Sequence, residues 1–532
     1  MEGIRVIQGP ATIHAILKKS SFTFGQKTAF TDGERTISFN TAMKWSVRLA
    51  KHFVKLGLKK GDVLAVQLPN SLEFVLAHVA ASHIGLIFNP LSPNYRKKEL
   101  LYMLGHCETK ALITTERYKH YNLKELAYEV KTRLPHLEHI IVTGQSEQAE
   151  GISFFSLLEE DPYDIRDSDL KKHEPEADDP CLIMFTSGTE SNPKAVLHTN
   201  RTFVSTHLMN GPEYGITNKD TILSLTPLAH MFSLPMIMLS LQAGAKHYLY
   251  SEYDVKKLAD ILQKEKVTFL IAAPAHLIDI LHHFDKKEAD ETSIRFVLTG
   301  GSKIPSQMVK KLIHVLGCRV GAQWGMTEVG AGTFTRPGDD PEKAWKTVGR
   351  PCPAGEVIIV DEDHRSLPTG AAGEIAFKGC SVFIEYYRNR EETKAAFTEE
   401  DYFLTGDQGY LDEEGYLHFT GRTKDTINRG GLKFHASEIE EALQMHPKIR
   451  QVAIVSVPDF RLGERACAFV ALRENQHLDF EEMKSFLLQK GFAKYKIPEY
   501  CEIRNELPTT PSGKIFKEPL RKEAKLLGQS KM

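Results

Sequence analysis

The stretch Thr186-Ser187-Gly188-Thr189-Glu190-Ser191-Asn192-Pro193-Lys194 is the most informative part of the chain. It follows an apolar run, Cys181 to Phe185, which is typical of a buried strand. Backbone N–H groups in such a hydroxyl-rich turn can converge on an anion, and Lys194 supplies a positive charge. A Walker A loop is excluded, because no glycine directly precedes the lysine and no serine or threonine follows it. The stretch predicts a phosphate-binding loop of another kind, although such a loop taken alone is more often a plain surface turn.

The bulk composition indicates a large globular protein with more than one domain. The chain has 532 residues, of which 42% are hydrophobic, so we expect at least two sizeable cores. There are 67 lysine and arginine residues and 69 aspartate and glutamate residues. Because these charges nearly cancel, the protein has no overall positive potential that would attract nucleic acid or an anionic membrane. The 7 cysteines lack metal-site spacing and are odd in number, which favours a reducing cytoplasm. The terminal Ser530-Lys531-Met532 is close to the peroxisomal address Ser-Lys-Leu.

One uncharged segment is long enough to span a bilayer. It runs from Thr221 to Ala245 and contains two prolines, His230 and Gln242. These residues favour a buried strand, loop and helix, so no membrane span is expected.

The order of apolar and amphipathic stretches predicts the fold class. Through the first two thirds of the chain they alternate, with Val63 to Leu68 as one strand after a helix that Asn40 would cap, which is the pattern of α/β layers. After Gly421 a charged stretch leads into a compact α+β sequence, in which Ser437 and Glu440 have capping-box spacing. We therefore predict a large amino-terminal α/β domain of layered sheets and helices over residues 1–423 and a small α+β carboxy-terminal domain over residues 424–532.

Four further motifs follow the loop in order along the chain. They are Gln323-Trp324-Gly325-Met326-Thr327-Glu328, Tyr402-Phe403-Leu404-Thr405-Gly406-Asp407, Gly421-Arg422-Thr423-Lys424-Asp425 and Pro511-Ser512-Gly513-Lys514. Together with the loop they resemble the core motifs of the adenylate-forming superfamily, which contains acyl-CoA synthetases, adenylation domains of peptide synthetases and luciferases. The resemblance implies the adenylate-forming enzyme fold and a first half-reaction in which an acid and ATP give an acyl adenylate and pyrophosphate. It does not specify the acid.

The resemblance also implies which residues bind the phosphates and Mg²⁺. Thr327 corresponds to the α-phosphate ligand and Glu328 to the magnesium ligand, and a hard carboxylate oxygen suits that ion. Glu190 stands within Glu190-Ser191-Asn192, where Thr-Gly-x is more common in the family, so no direct contact is assigned to it. The loop residues implied to hold the β- and γ-phosphates are Thr186, Ser187, Gly188, Thr189 and Lys194.

Other positions match the family's adenine and acyl pockets. Trp324 takes the aromatic position beside adenine, although a lone tryptophan is more often core filler. His230 resembles a residue that lines the acyl pocket near the thiol entrance, and a core histidine with satisfied hydrogen bonds is nearly as good an explanation. The remaining positions in this group are Gln323, Gly325, Gly301 and Ser302.

The carboxy-terminal motifs imply the ribose contacts and the catalytic lysine. Asp407 matches the acid that grips the ribose hydroxyls, with Arg422 as its partner on the same sugar, while Lys424 falls at the hinge of a domain rotation. Lys514 resembles the lysine that bridges the carboxylate and phosphate oxygens during adenylation and neutralises charge in the transition state. Gly430 and Gly431 would leave room for the pantetheine arm of coenzyme A.

These residues favour an ATP-dependent carboxylic acid:CoA ligase, with ATP, Mg²⁺ and coenzyme A as its small-molecule partners. The alternative is a freestanding enzyme that adenylates an acid and loads it onto a separate carrier protein. A non-catalytic descendant of the fold would be expected to have lost residues such as Lys514, Glu328 and Asp407, and nothing points to luciferase-like oxygenation. The apolar neighbours of the pocket residues predict an acid with an uncharged aliphatic, alicyclic or aromatic tail. Monomer and homodimer both remain open.

Overall fold

A computed structural model describes residues 12–144, 151–186, 193–284, 292–301, 304–353, 355–510 and 514–529. Its Cα positions divide into two compact units. Unit 1 is built from the described parts of 1–186, 194–356 and 378–395, and unit 2 chiefly from 357–377 and 396 onward. The domain boundary predicted at residue 424 lies inside unit 2 and stays a prediction.

The strands and helices alternate along most of the chain. The strands are β1 (Thr28–Thr31), β2 (Thr36–Ser38), β3 (Val63–Gln67), β4 (Ile87–Leu91), β5 (Ala111–Thr115), β6 (Arg117–Tyr118), β7 (Tyr121–Asn122), β8 (His139–Thr143), β9 (Ile152–Ser153), β10 (Pro180–Phe185), β11 (Ala195–Thr199), β12 (Thr221–Ser224), β13 (Lys246–Tyr248), β14 (Phe269–Ala272), β15 (Phe296–Gly300), β16 (Arg319–Met326), β17 (Gly330–Phe334), β18 (Arg350–Pro351), β19 (Gly355–Val360), β20 (Gly373–Gly379), β21 (Glu385–Tyr386), β22 (Phe403–Leu411), β23 (Leu417–Arg422), β24 (Thr426–Arg429), β25 (Leu432–His435), β26 (Ile449–Asp459), β27 (Gly463–Leu472) and β28 (Tyr500–Arg504). The α-helices span Ile13–Phe24, Phe39–Lys55, Leu72–His83, Lys97–His106, Leu123–Lys131, Phe154–Glu159, Asp167–Leu170, Thr206–Glu213, Leu234–Ala243, Val255–Lys264, Pro274–His283, Ser306–Leu316, Lys343–Lys346, Arg390–Ala395, Ala436–Gln444, Phe480–Gln489 and Lys517–Gln529.

Unit 1 contains two large, mainly parallel sheets. Sheet 1 has the strand order β18-β17-β16-β15-β14-β12-β13-β1-β2, and sheet 2 the order β21-β11-β10-β4-β3-β5-β8-β9. Central strands such as β3, β14 and β15 are buried along their whole length, as expected for parallel strands that helices cover on both faces. The predicted α/β layers are therefore confirmed.

The N-cap of the helix before β3 lies two residues earlier than predicted. Helix Phe39–Lys55 has Ser38 as its N-cap, whose hydroxyl accepts a hydrogen bond from Thr41 N–H at 3.1 Å. Asn40 lies inside the first turn, so the prediction that it caps this helix is wrong. Ser38 has the extended backbone geometry that an N-cap residue requires, and its hydroxyl is placed to accept from the first turn.

Unit 2 contains a sheet of order β19-β20-β22-β23 and a second sheet of order β25-β24-β27-β26, to whose strand β27 strand β28 also pairs. Neighbouring residues of β26 face two different cores. Ile454 packs in a cluster with residues of helices Ala436–Gln444 and Phe480–Gln489, and Val455 in a cluster with residues of helix Lys517–Gln529. Both faces of this strand are therefore buried, and the predicted α+β class is confirmed.

The predicted capping box of helix Ala436–Gln444 is displaced by two residues. The N-cap is His435, whose backbone N–H donates to Glu438 at 3.5 Å. Ser437 instead donates to the carbonyl of Thr420 at 2.9 Å, and Glu440 accepts from Ile454 N–H at 2.6 Å. Ser437 and Glu440 thus make tertiary contacts, so the prediction from their spacing is wrong.

The uncharged segment from Thr221 to Ala245 forms strand β12, a loop and helix Leu234–Ala243. Across the described part of the chain, no helix is both long and apolar enough to cross a membrane. The predicted strand, loop and helix are confirmed.

Candidate active site

Thr186 and Lys194 form the two ends of the predicted phosphate loop. Thr186 N–H donates to the Lys194 carbonyl at 2.9 Å, and Lys194 N–H donates to Thr186 Oγ1 at 3.3 Å. These bonds continue the antiparallel pairing of β10 with β11, in which Phe185 faces Ala195. Ser187, Gly188 and Thr189 lie outside the described residues.

The β16–β17 hairpin carries the second motif. A Cβ on Gly325 would lie 2.0 Å from the carbonyl oxygen of Gly330, so the close approach of the two strands requires glycine at this position. Gln323 accepts a hydrogen bond from the Tyr214 hydroxyl at 2.8 Å. Trp324 is 6% exposed and packs over Gly332 of the facing strand.

A histidine of sheet 2 holds the Thr327 carbonyl in the turn of this hairpin. His198 Nε2 lies 2.8 Å from Thr327 O, and its Nδ1 lies 3.0 Å from the Thr202 hydroxyl. Because a carbonyl only accepts, Nε2 carries the proton and Nδ1 accepts from Thr202. Burial lowers the pKa of His198 to about 4, so the ring is neutral near pH 7. The contact joins the hairpin of sheet 1 to strand β11 of sheet 2.

Glu328 is held at both its backbone and its side chain. Its carbonyl accepts from Phe383 N–H at 2.8 Å, and its Oε1 accepts from the Tyr386 hydroxyl at 3.1 Å. The residue is 9% exposed. Desolvation and the neighbouring Glu328 charge raise the pKa of Tyr386, so its hydroxyl stays protonated and donates. The Glu328 carboxylate is thus buried and hydrogen-bonded to Tyr386.

Lys194 has two neighbours from the segment that follows β20. Its Nζ lies 2.6 Å from Glu392 Oε1 and 4.4 Å from the centroid of the Tyr386 ring. Lys194 and Glu328 are therefore both in contact with Tyr386.

The predicted acyl-pocket segments meet at the carboxyl end of β15. Gly300 lies opposite Gln323 in the parallel register, and a Cβ on Gly300 would lie 3.3 Å from the Phe232 ring. Gly301 has φ +78°, a left-handed conformation that favours glycine. His230 lies in the same loop as Phe232, where its carbonyl accepts from Ser233 N–H at 3.0 Å. Ser302 lies outside the described residues.

In unit 2, Asp407 and Arg422 face each other on strands β22 and β23. Arg422 Nε lies 3.2 Å from Asp407 Oδ1, and Asp407 N–H donates to the Thr405 hydroxyl at 3.1 Å. Asp407 is 4% exposed, whereas Arg422 is exposed. The structure brings this predicted pair together.

Lys514 shares an electrostatic environment with that pair. Its backbone N–H donates to the Thr510 hydroxyl at 3.2 Å, and Thr510 N–H donates to the Lys514 carbonyl at 2.7 Å. As a whole, Lys514 is exposed. Desolvation at its ammonium group and the positive charge of Arg422 lower the pKa of Lys514 to about 8. The negative charge of Asp407 acts in the opposite direction and raises this pKa. The ammonium form therefore predominates at pH 7 and is lost as the pH rises through about 8.

Three other predicted residues of unit 2 lie in turns. Lys424 is in a 3₁₀ turn, Thr423–Asp425, directly after β23. Gly430 and Gly431 form the two-residue turn between β24 and β25, with φ of +61° and +88°. Two positive φ values at a two-residue hairpin turn already favour a glycine pair, so their place in this hairpin accounts for both glycines. Their predicted role beside pantetheine stays a prediction.

Comparison with known proteins decides the family. The sequence profile of the AMP-binding enzyme matches residues 17–387, and that of the AMP-binding enzyme C-terminal domain matches residues 438–514. The chain belongs to the AMP-binding enzyme family. The resemblance to the adenylate-forming superfamily is thereby confirmed, and the protein is an adenylate-forming enzyme that uses an acid and ATP.

Relatives of this AMP-binding enzyme include both a CoA ligase and an AMP ligase. It is 31% identical to the medium-chain fatty-acid–CoA ligase of Escherichia coli over 89% of the chain and 83% of the relative. It is 30% identical to the 2,3-dihydroxybenzoate-AMP ligase of Bacillus subtilis over 96% of the chain and 93% of the relative. The structure of ATP-bound MatB from Rhodopseudomonas palustris superposes with a TM-score of 0.86 at 24% identity, over 97% of this chain and 99% of that one, and shows the same fold.

Several residues that shape the candidate site of this AMP-binding enzyme were not predicted from the sequence. His198 and Tyr386 reach the Thr327–Glu328 turn, and Tyr214 reaches Gln323. His198 follows Lys194 by four positions, directly after the apolar residues Ala195 to Leu197, and a histidine at that place in a strand is a signal that could have been used. Tyr386 is adjacent to a second tyrosine, and the sequence gives no reason to choose between them.

Proposed function

We propose that this protein is an ATP-dependent carboxylic acid:CoA ligase. In the first step a carboxylate oxygen attacks the α-phosphorus of ATP, the bond to the β-phosphate oxygen breaks, and pyrophosphate leaves. In the second step the sulfur of coenzyme A attacks the acyl carbonyl, and AMP leaves. The observation that carries the proposal is the grouping of a buried Asp407, its partner Arg422 and a lysine, Lys514, whose charge both of them influence.

The residues proposed for the triphosphate lie in unit 1. Thr186 and Lys194 lie at the two ends of the loop that holds the β- and γ-phosphates, and Thr327 contacts the α-phosphate. These donors offset the negative charge that accumulates as the acid meets the triphosphate. Trp324 lies beside adenine, together with Gln323 and Gly325.

Glu328 fits a magnesium ligand, since it is a buried and pre-oriented carboxylate. Among the described residues, no cluster of three or more His, Cys, Asp or Glu could hold a metal by itself. In phosphoryl chemistry Mg²⁺ usually takes its other ligands from phosphate oxygens and water. When bound, it would neutralise charge on the phosphate oxygens.

In unit 2 the proposed roles concern the ribose and the reacting carboxylate. The Asp407 carboxylate accepts hydrogen bonds from the ribose hydroxyls, and Arg422 contacts the same sugar. Lys514 neutralises charge on the carboxylate and α-phosphate oxygens. Lys424 is the proposed hinge, and Gly430 and Gly431 lie along the pantetheine arm.

Apart from its carboxylate, the acid is proposed to have an uncharged, apolar tail. Phe232 beside Gly300 supports this choice, as does Trp324 in the neighbouring strand, because both present aromatic surface and no charge. His230 is proposed to lie at the thiol entrance. The E. coli relative supports coenzyme A as the acceptor.

A second candidate function is loading of a separate carrier protein. The 2,3-dihydroxybenzoate-AMP ligase relative favours it, because its name describes an adenylate and no CoA product. The two functions differ in the thiol that receives the acyl group.

The test supplies the protein with ATP, Mg²⁺ and a panel of aliphatic, alicyclic and aromatic acids, and measures AMP release with and without coenzyme A. The expected result is coenzyme A-dependent AMP release with at least one acid, together with a thioester of the matching mass. Adenylate formation that coenzyme A leaves unchanged, with loading of a phosphopantetheine-bearing carrier, would establish the second function instead.

A further inference from the structure

Tyr386 lies between the two charged groups of unit 1 that the proposed function uses. Its hydroxyl donates to Glu328 Oε1 at 3.1 Å, and the Lys194 ammonium lies 4.4 Å from its ring centroid. The tyrosine itself is 4% exposed. One buried side chain therefore touches both the carboxylate proposed for Mg²⁺ and the ammonium proposed for phosphate.

The backbone fixes Tyr386 relative to the phosphate loop. Tyr386 pairs with Val196 of β11, two residues after Lys194, and Tyr387 N–H donates to the Ala195 carbonyl at 2.7 Å. Tyr386 N–H also donates to the Thr393 hydroxyl at 2.9 Å. Tyr386 thus pairs with strand β11, and Lys194, at the end of the loop, directly precedes the same strand.

The two contacts act on different groups through different parts of the side chain. The hydroxyl occupies one carboxylate oxygen of Glu328 and so sets the direction of the other. The ring face attracts the Lys194 ammonium, and Glu392 binds the same ammonium at 2.6 Å. Asn389 in turn donates to Glu392 at 2.8 Å. Loss of the hydroxyl alone should therefore affect Glu328 and spare Lys194.

We propose that Tyr386 is a positioning residue of the nucleotide site, which orients the Glu328 carboxylate through its hydroxyl and the Lys194 ammonium through its ring. The inference rests on the proposed function, because it assigns Glu328 to Mg²⁺ and Lys194 to phosphate. A tyrosine that only filled the core would affect ATP and AMP binding alike.

The experiment compares Tyr386→Phe, Tyr386→Leu and the matched control Tyr387→Phe in the full chain. Tyr387 is partly buried and packs against the core cluster that contains Phe185 and Leu197, whereas Tyr386 is the tyrosine that donates to Glu328. Calorimetry measures the binding of ATP with Mg²⁺, of ATP in EDTA, and of AMP, and thermal unfolding monitors the fold.

For Tyr386→Phe we expect about a tenfold rise in the Mg²⁺ concentration that half-saturates ATP binding, the size typical of losing a residue that orients a metal ligand. Binding of AMP and of ATP in EDTA should match the wild type. Tyr386→Leu should in addition weaken ATP binding in EDTA, because Lys194 loses the ring. Tyr387→Phe should behave as the wild type in every assay.

An unchanged Mg²⁺ dependence in folded Tyr386→Phe, or equal losses of AMP and ATP binding, would overturn the proposal. If that variant does not fold, Tyr386→His replaces it, because it keeps a ring and a donor and should bind ATP in EDTA better than Tyr386→Leu does. No difference between those two would also overturn it. A wild type that binds ATP but lacks acid-dependent pyrophosphate exchange would refute the proposed function, and the binding data would still decide the role of Tyr386.

Discussion

Asp407 and Arg422 occupy directly paired positions on strands β22 and β23, and their side chains form an ion pair with Arg422 Nε 3.2 Å from Asp407 Oδ1. The carboxylate is buried and the guanidinium is 46% exposed. An ion pair that is open to solvent on one side adds little to stability. The pair has both an acceptor and a solvent-accessible donor for a polar ligand, and the ribose of ATP is the ligand proposed.

Asp407→Asn should raise KM for ATP by about tenfold or more, because a hydrogen bond to a charged acceptor contributes about 1.5–3 kcal/mol. The same variant should discriminate less between ATP and its 2′- and 3′-deoxy analogues, since the lost acceptor is the group that senses those hydroxyls. Pyrophosphate-exchange kinetics with the three nucleotides measure both effects. Asp401→Asn is the matched control, because Asp401 is exposed and has φ +64°, which asparagine tolerates. Undiminished discrimination in Asp407→Asn would remove the ribose assignment.

Lys514→Ala should slow adenylation by about a hundredfold or more, as expected when a preorganised group that stabilises transition-state charge is removed. Conversion of supplied acyl adenylate and coenzyme A to thioester should change little, because that step does not bring a carboxylate and a triphosphate together. Separate assays of the two half-reactions give the comparison. Equal losses in both would show that the lysine does not act on the first step alone.

Adenylation should also lose activity as the pH rises through about 8. The pKa of Lys514 is lowered to about 8, and the protonated ammonium is the form that neutralises charge, so the active form predominates below that pH and disappears above it. The pH profile of kcat/KM for exchange reports this group in the free enzyme. Lys514→Arg, which stays charged, should lack the descending limb. The same limb in both proteins would mean that another group titrates.

Acid should destabilise the fold from about pH 6.5 downward, before most carboxylates are protonated. Burial lowers the pKa of His198, His207 and His247 each to about 4, against about 6.5 for an unfolded histidine. Between these values the unfolded chain binds protons that the folded chain does not, so the free energy of unfolding falls as the pH falls. Urea unfolding at pH 7.5, 6.0 and 5.0 measures this loss. Equal stability at pH 7.5 and 5.0 would contradict it.

Residues whose function depends on a short chemical pattern were predictable from the sequence. Asp407 and Arg422 are separated by fourteen residues in the chain, and each taken alone suggests an ordinary surface charge. The resemblance implied that both contact the same sugar, because each belongs to a motif whose order along the chain is distinctive, and their pairing across β22 and β23 came only from the structure. The α/β and α+β character of the two parts followed in the same way from the alternation of apolar runs.

Contacts that tertiary structure alone creates were not predictable. His198 and Tyr386 meet the Thr327–Glu328 turn because sheet 2 lies against the hairpin of sheet 1 within unit 1, and no local spacing records that packing. For Ser437, in contrast, a local pattern predicted a contact that the structure does not contain. Its spacing to Glu440 suits a capping box, but both side chains are engaged by distant backbone groups, and tertiary hydrogen bonds override the local pattern.

The most direct test of the central claim is acid-dependent exchange of labelled pyrophosphate into ATP. The measurement isolates the first half-reaction and needs neither coenzyme A nor a carrier protein. We expect exchange with at least one acid that has an uncharged apolar tail, no exchange without acid, and a loss of about a hundredfold or more in Lys514→Ala. Absence of exchange across aliphatic, alicyclic and aromatic acids, with a protein that binds ATP, would contradict the account.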